Sequence, residues 1–123
     1  MSISLRLVRW AQYSTDQSLP ELKAKVICGI ANNQLAEPRH GKELSDRGIT
    51  YVPDYVANAG GMMGAGSRIF SQPSDEETRK RILGLYDTVT KILDRAHNGG
   101  VPTSEIADQM ARERIAGGPH KTK

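Results

Sequence analysis

Along the chain the apolar positions change pattern three times. Ile3, Leu5 and Leu7 alternate with Ser4, Arg6 and Val8, which predicts a short strand. Trp10 to Ser18 then shows no clear period. From Leu19 the order is firmer. Pro20-Glu21-Leu22 leads into Lys25-Val26-Ile27-Cys28-Gly29-Ile30, a short continuous apolar run. Such a run reads as a strand buried on both faces, as in a parallel sheet covered by helices. Ala31-Asn32-Asn33 stops it. His40 to Arg47 is a short helix with Gly48 as its C-terminal stop. Ile49 to Val52 is β-branched and aromatic, a further strand ended by Pro53. Parallel strands need a crossover of about a dozen residues or more, commonly helical. Lys25 to Val52 therefore scans as one right-handed strand-helix-strand unit.

The remainder is helical. Asp54 is placed to N-cap Tyr55 to Asn58. Gly60-Gly61 and Met62-Met63-Gly64-Ala65-Gly66 follow. Ser74 and Glu77 fit a capping box, with Asp75 and Glu76 in the positive first turn. Ile82, Leu85, Tyr86, Val89, Ile92, Leu93 and Ala96 then recur at spacings of three and four, one stripe along a long helix. Asn98-Gly99-Gly100 ends that helix. Pro102-Thr103 opens a last one, with Ile106, Ala107, Met110, Ala111 and Ile115 on one side and Gly117-Gly118-Pro119 as its stop.

Composition narrows the classes. The chain has 123 residues, one domain or part of one, with 37% apolar and 25% charged residues. That is too apolar for intrinsic disorder. The net charge is +3, with signs mixed along the chain and few aromatics. A nucleic-acid binder would cluster its Lys and Arg or interleave them with aromatic residues, so nucleic acid is not the expected partner. A single cysteine, Cys28, excludes an intrachain disulfide framework. No apolar run approaches the ~20 residues of a membrane span. The expectation is a reduced, cytoplasmic protein.

Candidate chemistry is sparse. Gly61-Met-Met-Gly64-Ala-Gly66 has the wrong glycine order for a dinucleotide loop, and no strand directly precedes it. Close helix packing is the better reading. His40, His97 and His120 are scattered, and His40 with Glu43 on one helix face is too little for a metal site. Cys28 lies in an expected buried strand and reads as core, not nucleophile. Asn32, Asn33 and Asn58 remain. Their plain reading is turn and cap residues. Yet they follow the carboxyl ends of the two strands, where an open α/β sheet places its ligand crevice. An amide there suits a carboxylate, a ribose or a carboxamide.

Two blocks resolve the family. Leu22 to Gly41, LKAKVICGIANNQLAEPRHG, and Arg47 to Gly61, RGITYVPDYVANAGG, closely resemble the leucine/phenylalanine/valine dehydrogenases related to glutamate dehydrogenase. The likeness continues through the long helix and Ala107 to Ile115, about residues 19–116 in all. It implies an α/β fold: a partial Rossmann-type sheet of two or three parallel strands, a long C-terminal helix and a final short one. The long helix belongs either to the back of the nucleotide domain or to a bridge toward another domain. The implied activity is NAD-dependent oxidative deamination of a branched-chain or aromatic L-amino acid to a 2-oxo acid. The implied sites are Asn32 near the nicotinamide ribose, Asn58 near the substrate carboxylate and nicotinamide, and Met62 and Ala65 in the side-chain pocket. Relatives often carry small or β-branched residues where Met62 stands.

The family's catalytic lysines, its aspartate and its glycine-rich nucleotide loop have no match here. No catalytic residue and no metal ligand is therefore assigned. The expectation is a truncated gene product, perturbed near residue 18, with residues 1–18 unmatched, residues 19–118 the second half of a dinucleotide domain plus helices, and 119–123 a tail. An amino acid is the expected substrate, NAD binding by the isolated chain is doubtful, and self-association stays open. The alternative is a non-catalytic remnant or oligomerisation module.

Overall fold

The computed structural model describes residues 5–8, 14–29, 31–66 and 74–118. Three strands form one parallel sheet in the order β1-β2-β3, with β1 at Leu5–Val8, β2 at Val26–Gly29 and β3 at Thr50–Val52. Leu5 stands opposite Val26, and Val26 opposite Thr50. The alternating N-terminal segment thus does become a strand. Parallel pairing rules out a tight hairpin, so β2 and β3 are joined through helix α1, Arg39–Asp46. Gly48 closes that helix at φ 68°, a backbone state that a side chain would strain.

Ile27 and Tyr51 are neighbours across β2 and β3 and point to the same face. That face carries the first core, with Leu19, Leu22, Ala24, Leu44 and Ile49 buried around them and Leu35 packed against it. Val26 and Cys28, on the opposite face of β2, are only half-buried. The run expected to be covered on both faces is therefore fully covered on one, because the leucines at 19, 22 and 44 all close the same side.

Two short helices follow β3, α2 at Asp54–Ala57 and α3 at Ala59–Gly66. Asp54 is the first residue of α2 and not its cap; the cap is Pro53, with no side-chain hydrogen bond. The glycines at 61, 64 and 66 are helical, not a loop. The packing reading does not hold at Gly61, where a Cβ would meet nothing within 4 Å; the close neighbour is at Gly60, just before the motif, where a Cβ would meet Leu85 Cδ1 at 3.4 Å.

Helix α4 spans Asp75–Gly99 and helix α5 Thr103–Ala116. The capping box forms in both directions: Glu77 N–H donates to Ser74 Oγ at 3.2 Å, and Ser74 N–H donates to Glu77 Oε2 at 3.1 Å. Gly100 ends α4 in the left-handed conformation. Ile92 and Ala96 bury against Ile106 and Ala107 as a second core, with Val56, Val101 and Met110 beside it. The apolar stripes run further than their cover. Ile82 and Tyr86 on α4 are exposed, as are Ala111 and Ile115 on α5, since α3 and α5 reach only part of each stripe. Among the described residues, no helix is long and apolar enough to cross a membrane.

Candidate functional site

The carboxyl ends of β2 and β3 bring together the residues that follow each strand. Gly29 closes β2 because the buried Gln34 side chain occupies the space beside it: a Cβ on Gly29 would lie 2.1 Å from Gln34 Oε1. Gln34 Nε2 donates to Ala31 O at 2.8 Å and curls the intervening turn. Asn33 sits in that turn at φ 56°, a left-handed state that asparagine tolerates.

Asp54 holds the turn from the β3 side. Its Oδ2 accepts the Asn33 N–H at 3.0 Å, and its Oδ1 accepts the Tyr51 hydroxyl at 2.8 Å. The carboxylate is 8% exposed, so these donors replace water. Burial, and then the bond to the Asp54 carboxylate, pushes the Tyr51 phenol far above its ordinary range. Asp54 O also accepts the Asn58 N–H at 2.8 Å. Asn58 Nδ2 in turn donates to Asn32 Oδ1 at 3.3 Å. The two asparagines separated by 26 positions in sequence are thus in contact. That bond leaves Asn32 its amide N–H groups and Asn58 its amide oxygen for another partner.

Met62 and Ala65 are both exposed, and at i and i+3 on α3 they share a face. Neither lines either of two open cavities, each about 460 Å³, found among the described residues. One of those cavities backs onto the site, with Asn33, Tyr51 and Asp54 in its wall beside Tyr55 and Asp108. From there the site is tied to the last helix. Tyr55 Oη donates to Asp108 Oδ1 at 2.8 Å, and Thr103 Oγ1 donates to Tyr51 O.

A second polar cluster lies at the start of α1. His40 is buried, its Nδ1 accepting the Glu37 N–H at 3.0 Å and its Nε2 facing Asp16 Oδ1 at 3.1 Å. Accepting at Nδ1 puts the neutral ring's proton on Nε2, which donates to Asp16. Ligand atoms of Asp16, His40 and Glu43 lie within 4.8 Å of one another, close enough to hold a cation. Arg39 already bridges the carboxylates, at 2.6 Å from Asp16, 2.7 Å from Glu37 and 2.8 Å from Glu43. The bond to Arg39, then that to His40, holds the Asp16 carboxyl below its usual range. Both ring nitrogens are committed, so the cluster reads as an ion-pair network. Sequence reasoning paired His40 with Glu43 but missed Asp16, which lies in a stretch without periodicity. Cys28 is half-buried on the face of β2 away from the first core, so it is not the core residue expected; burial nonetheless pushes its thiol up.

No family model matches the chain. Curated relatives do. Leucine dehydrogenase of Bacillus cereus is 45% identical over 101 residues, 82% of this chain and 27% of that protein. Valine dehydrogenase of Streptomyces albus is 44% identical over 101 residues, 82% of this chain and 28% of that protein. Among solved structures, L-tryptophan dehydrogenase from Nostoc punctiforme superimposes with a TM-score of 0.85 at 32% identity, over 93% of this chain and 34% of that one. The chain spans about a quarter of the length of the curated relatives it matches. It is a homologue of that segment of the leucine, valine and phenylalanine dehydrogenases.

Proposed function

We propose that this chain forms the nicotinamide- and substrate-facing part of an NAD-dependent amino-acid dehydrogenase, which converts a branched-chain or aromatic L-amino acid to its 2-oxo acid. The observation that carries this reading is the Asn58–Asn32 contact across the carboxyl ends of β2 and β3, where open parallel sheets bind ligands. The free N–H groups of Asn32 suit ribose hydroxyls, and the Asn58 amide suits a carboxylate or a carboxamide. NAD, when bound, accepts the hydride removed from the amino acid. The donors described fit its nicotinamide end. They do not fit its pyrophosphate, since the glycines at 60–66 are inside α3 and form no phosphate cradle. Met62 and Ala65 would border the amino-acid side chain, an apolar surface suited to leucine, valine or phenylalanine.

Deamination needs a proton-handling group near the amine. Around Asn58 the described candidates are Asp54 and Tyr51, and they are bonded to each other. Their bonds to each other and to the Asn33 N–H assign them to holding the site. The purified chain alone is therefore expected to give no NADH from leucine, valine or phenylalanine.

The reading is tested by joining the chain to the remaining length of a relative and replacing Asn58→Ala. Loss of a hydrogen bond to a charged group predicts a fall of about ten- to a hundredfold in kcat/KM. If Asn58 merely ends a helical turn, the denaturation midpoint falls instead and the kinetics stay unchanged. A second reading, a non-catalytic module that pairs with another chain, is favoured by the exposed Ile82, Leu83 and Tyr86 on α4. Sedimentation of the chain alone, over a range of concentration, tests it.

A further inference from the structure

We infer that Asp54 is the positioning residue of this site, gripping through separate atoms the turn that carries Asn32, by the Asn33 N–H, and the helix end that carries Asn58. The inference rests on the function proposed above for Asn32 and Asn58. The Asp54 carboxylate holds the turn after β2 by the Asn33 N–H at 3.0 Å. Its carbonyl holds the turn after β3 by the Asn58 N–H at 2.8 Å. The side chains so placed, Asn32 and Asn58, then meet at 3.3 Å. One residue thereby fixes the distance between two loops that follow different strands.

Three features separate this from an ordinary buried acid. Asn33 is the one non-glycine residue with positive φ among those described, and Asp54 accepts its N–H. A turn in that sparsely populated conformation needs an external hold to persist. Tyr51 Oη fixes the carboxylate rotamer from behind, at 2.8 Å, and the Tyr51 backbone is itself tied to α5 by Thr103. Asp54 lines the cavity behind the site, and its hold on the crevice runs through the backbone of Asn33 and Asn58.

The test uses the complete 123-residue chain, labelled with 15N, as wild type, Asp54→Ala and Asp54→Asn. Asp54→Ala is expected to speed hydrogen exchange at the Asn33 amide by about tenfold or more. The side-chain NH2 signals of Asn32 and Asn58 should shift together toward those of free amides. Asp54→Asn should restore both, because its Oδ1 still accepts from Asn33 while its Nδ2 donates to the Tyr51 oxygen. Amides of Ile92 and Ile106 in the second core should keep their protection throughout. If Asp54→Ala does not fold, Asp54→Ser gives the same reading, since a hydroxyl is too short to span to Asn33.

Unmoved Asn32 and Asn58 signals in Asp54→Ala, or in Asp54→Ser where that variant replaces it, overturn the inference. So does equal loss of protection everywhere in Asp54→Ala and Asp54→Asn, the mark of a folding role alone. Titration of the wild type with NADH and with nicotinamide mononucleotide checks the underlying function separately. Shifts at the Asn32 and Asn58 side chains support it. Their absence, with the Asp54 effects present, overturns the nicotinamide reading and leaves the coupling established without ligand.

Discussion

Gly29 shows how one missing side chain shapes the crevice. A methyl group there would meet the buried Gln34 at Oε1, Cδ and Cγ, all within 3.0 Å. Gly29→Ala is expected to destabilise the fold by about 1–3 kcal/mol through overpacking. The urea midpoint measures it, and adding Gln34→Ala should recover part of the loss by opening the space. The thiol next to it gives a second expectation. Cys28 ionises above its ordinary value of 9.0 because burial penalises the thiolate. Alkylation by iodoacetamide should therefore be slow at neutral pH, and the midpoint of its pH profile should lie above 9.0. At this scale the closeness of Asn32 and Asn58 was legible, because strand ends can be located from the apolar runs and both residues follow one. Asp54 was not. A Pro-Asp pair before a helix looks like a local cap, and no local pattern reveals an acceptor for a residue 21 positions away.

Among the elements, α4 had the fullest sequence signature and the least complete burial. Its ends follow from the sequence, Ser74 and Glu77 at one and Gly100 at the other. Ser74→Ala should cost about 1 kcal/mol, read from the thermal midpoint. Gly100→Ala should cost a similar ~1 kcal/mol from its φ of 61° alone, since nothing lies within 4 Å of the added methyl. The stripe itself misled. Periodicity reports which side of a helix is apolar, not how far its partner extends. Ile92 is 2% exposed while Tyr86, on the same stripe, is 76% exposed. The strands fared differently. A continuous apolar run located β2 well, to Val26–Gly29, but implied a second covering layer that the leucines do not supply.

For the whole molecule, Met62, Leu83, Tyr86 and Ile115 leave apolar surface in water, each more than 60% exposed. Surface of that kind favours association. A dye that fluoresces on apolar surfaces should bind the native chain, and its signal should fall as concentration drives self-association. Two phenols set the alkaline limit. Tyr51 and Tyr55 resist ionisation in the fold, by burial first and then by their carboxylate partners. Their folded values lie above the unfolded value of 10.0, so their contribution to stability is full below pH 10.0 and is lost as the pH rises beyond it. Denaturation midpoints measured on either side of that pH check the sign. The bond from Thr103 to Tyr51 has a consequence in time. The contact between Asn32 and Asn58 is complete once β2, α1, β3 and α2 have been made, yet Thr103 lies 52 residues beyond Tyr51. At a synthesis rate of roughly 5–20 residues per second, the ribosome needs several seconds to reach it. During that interval the emerging polypeptide holds both amides on a strand whose backbone still lacks its tie to the last helix.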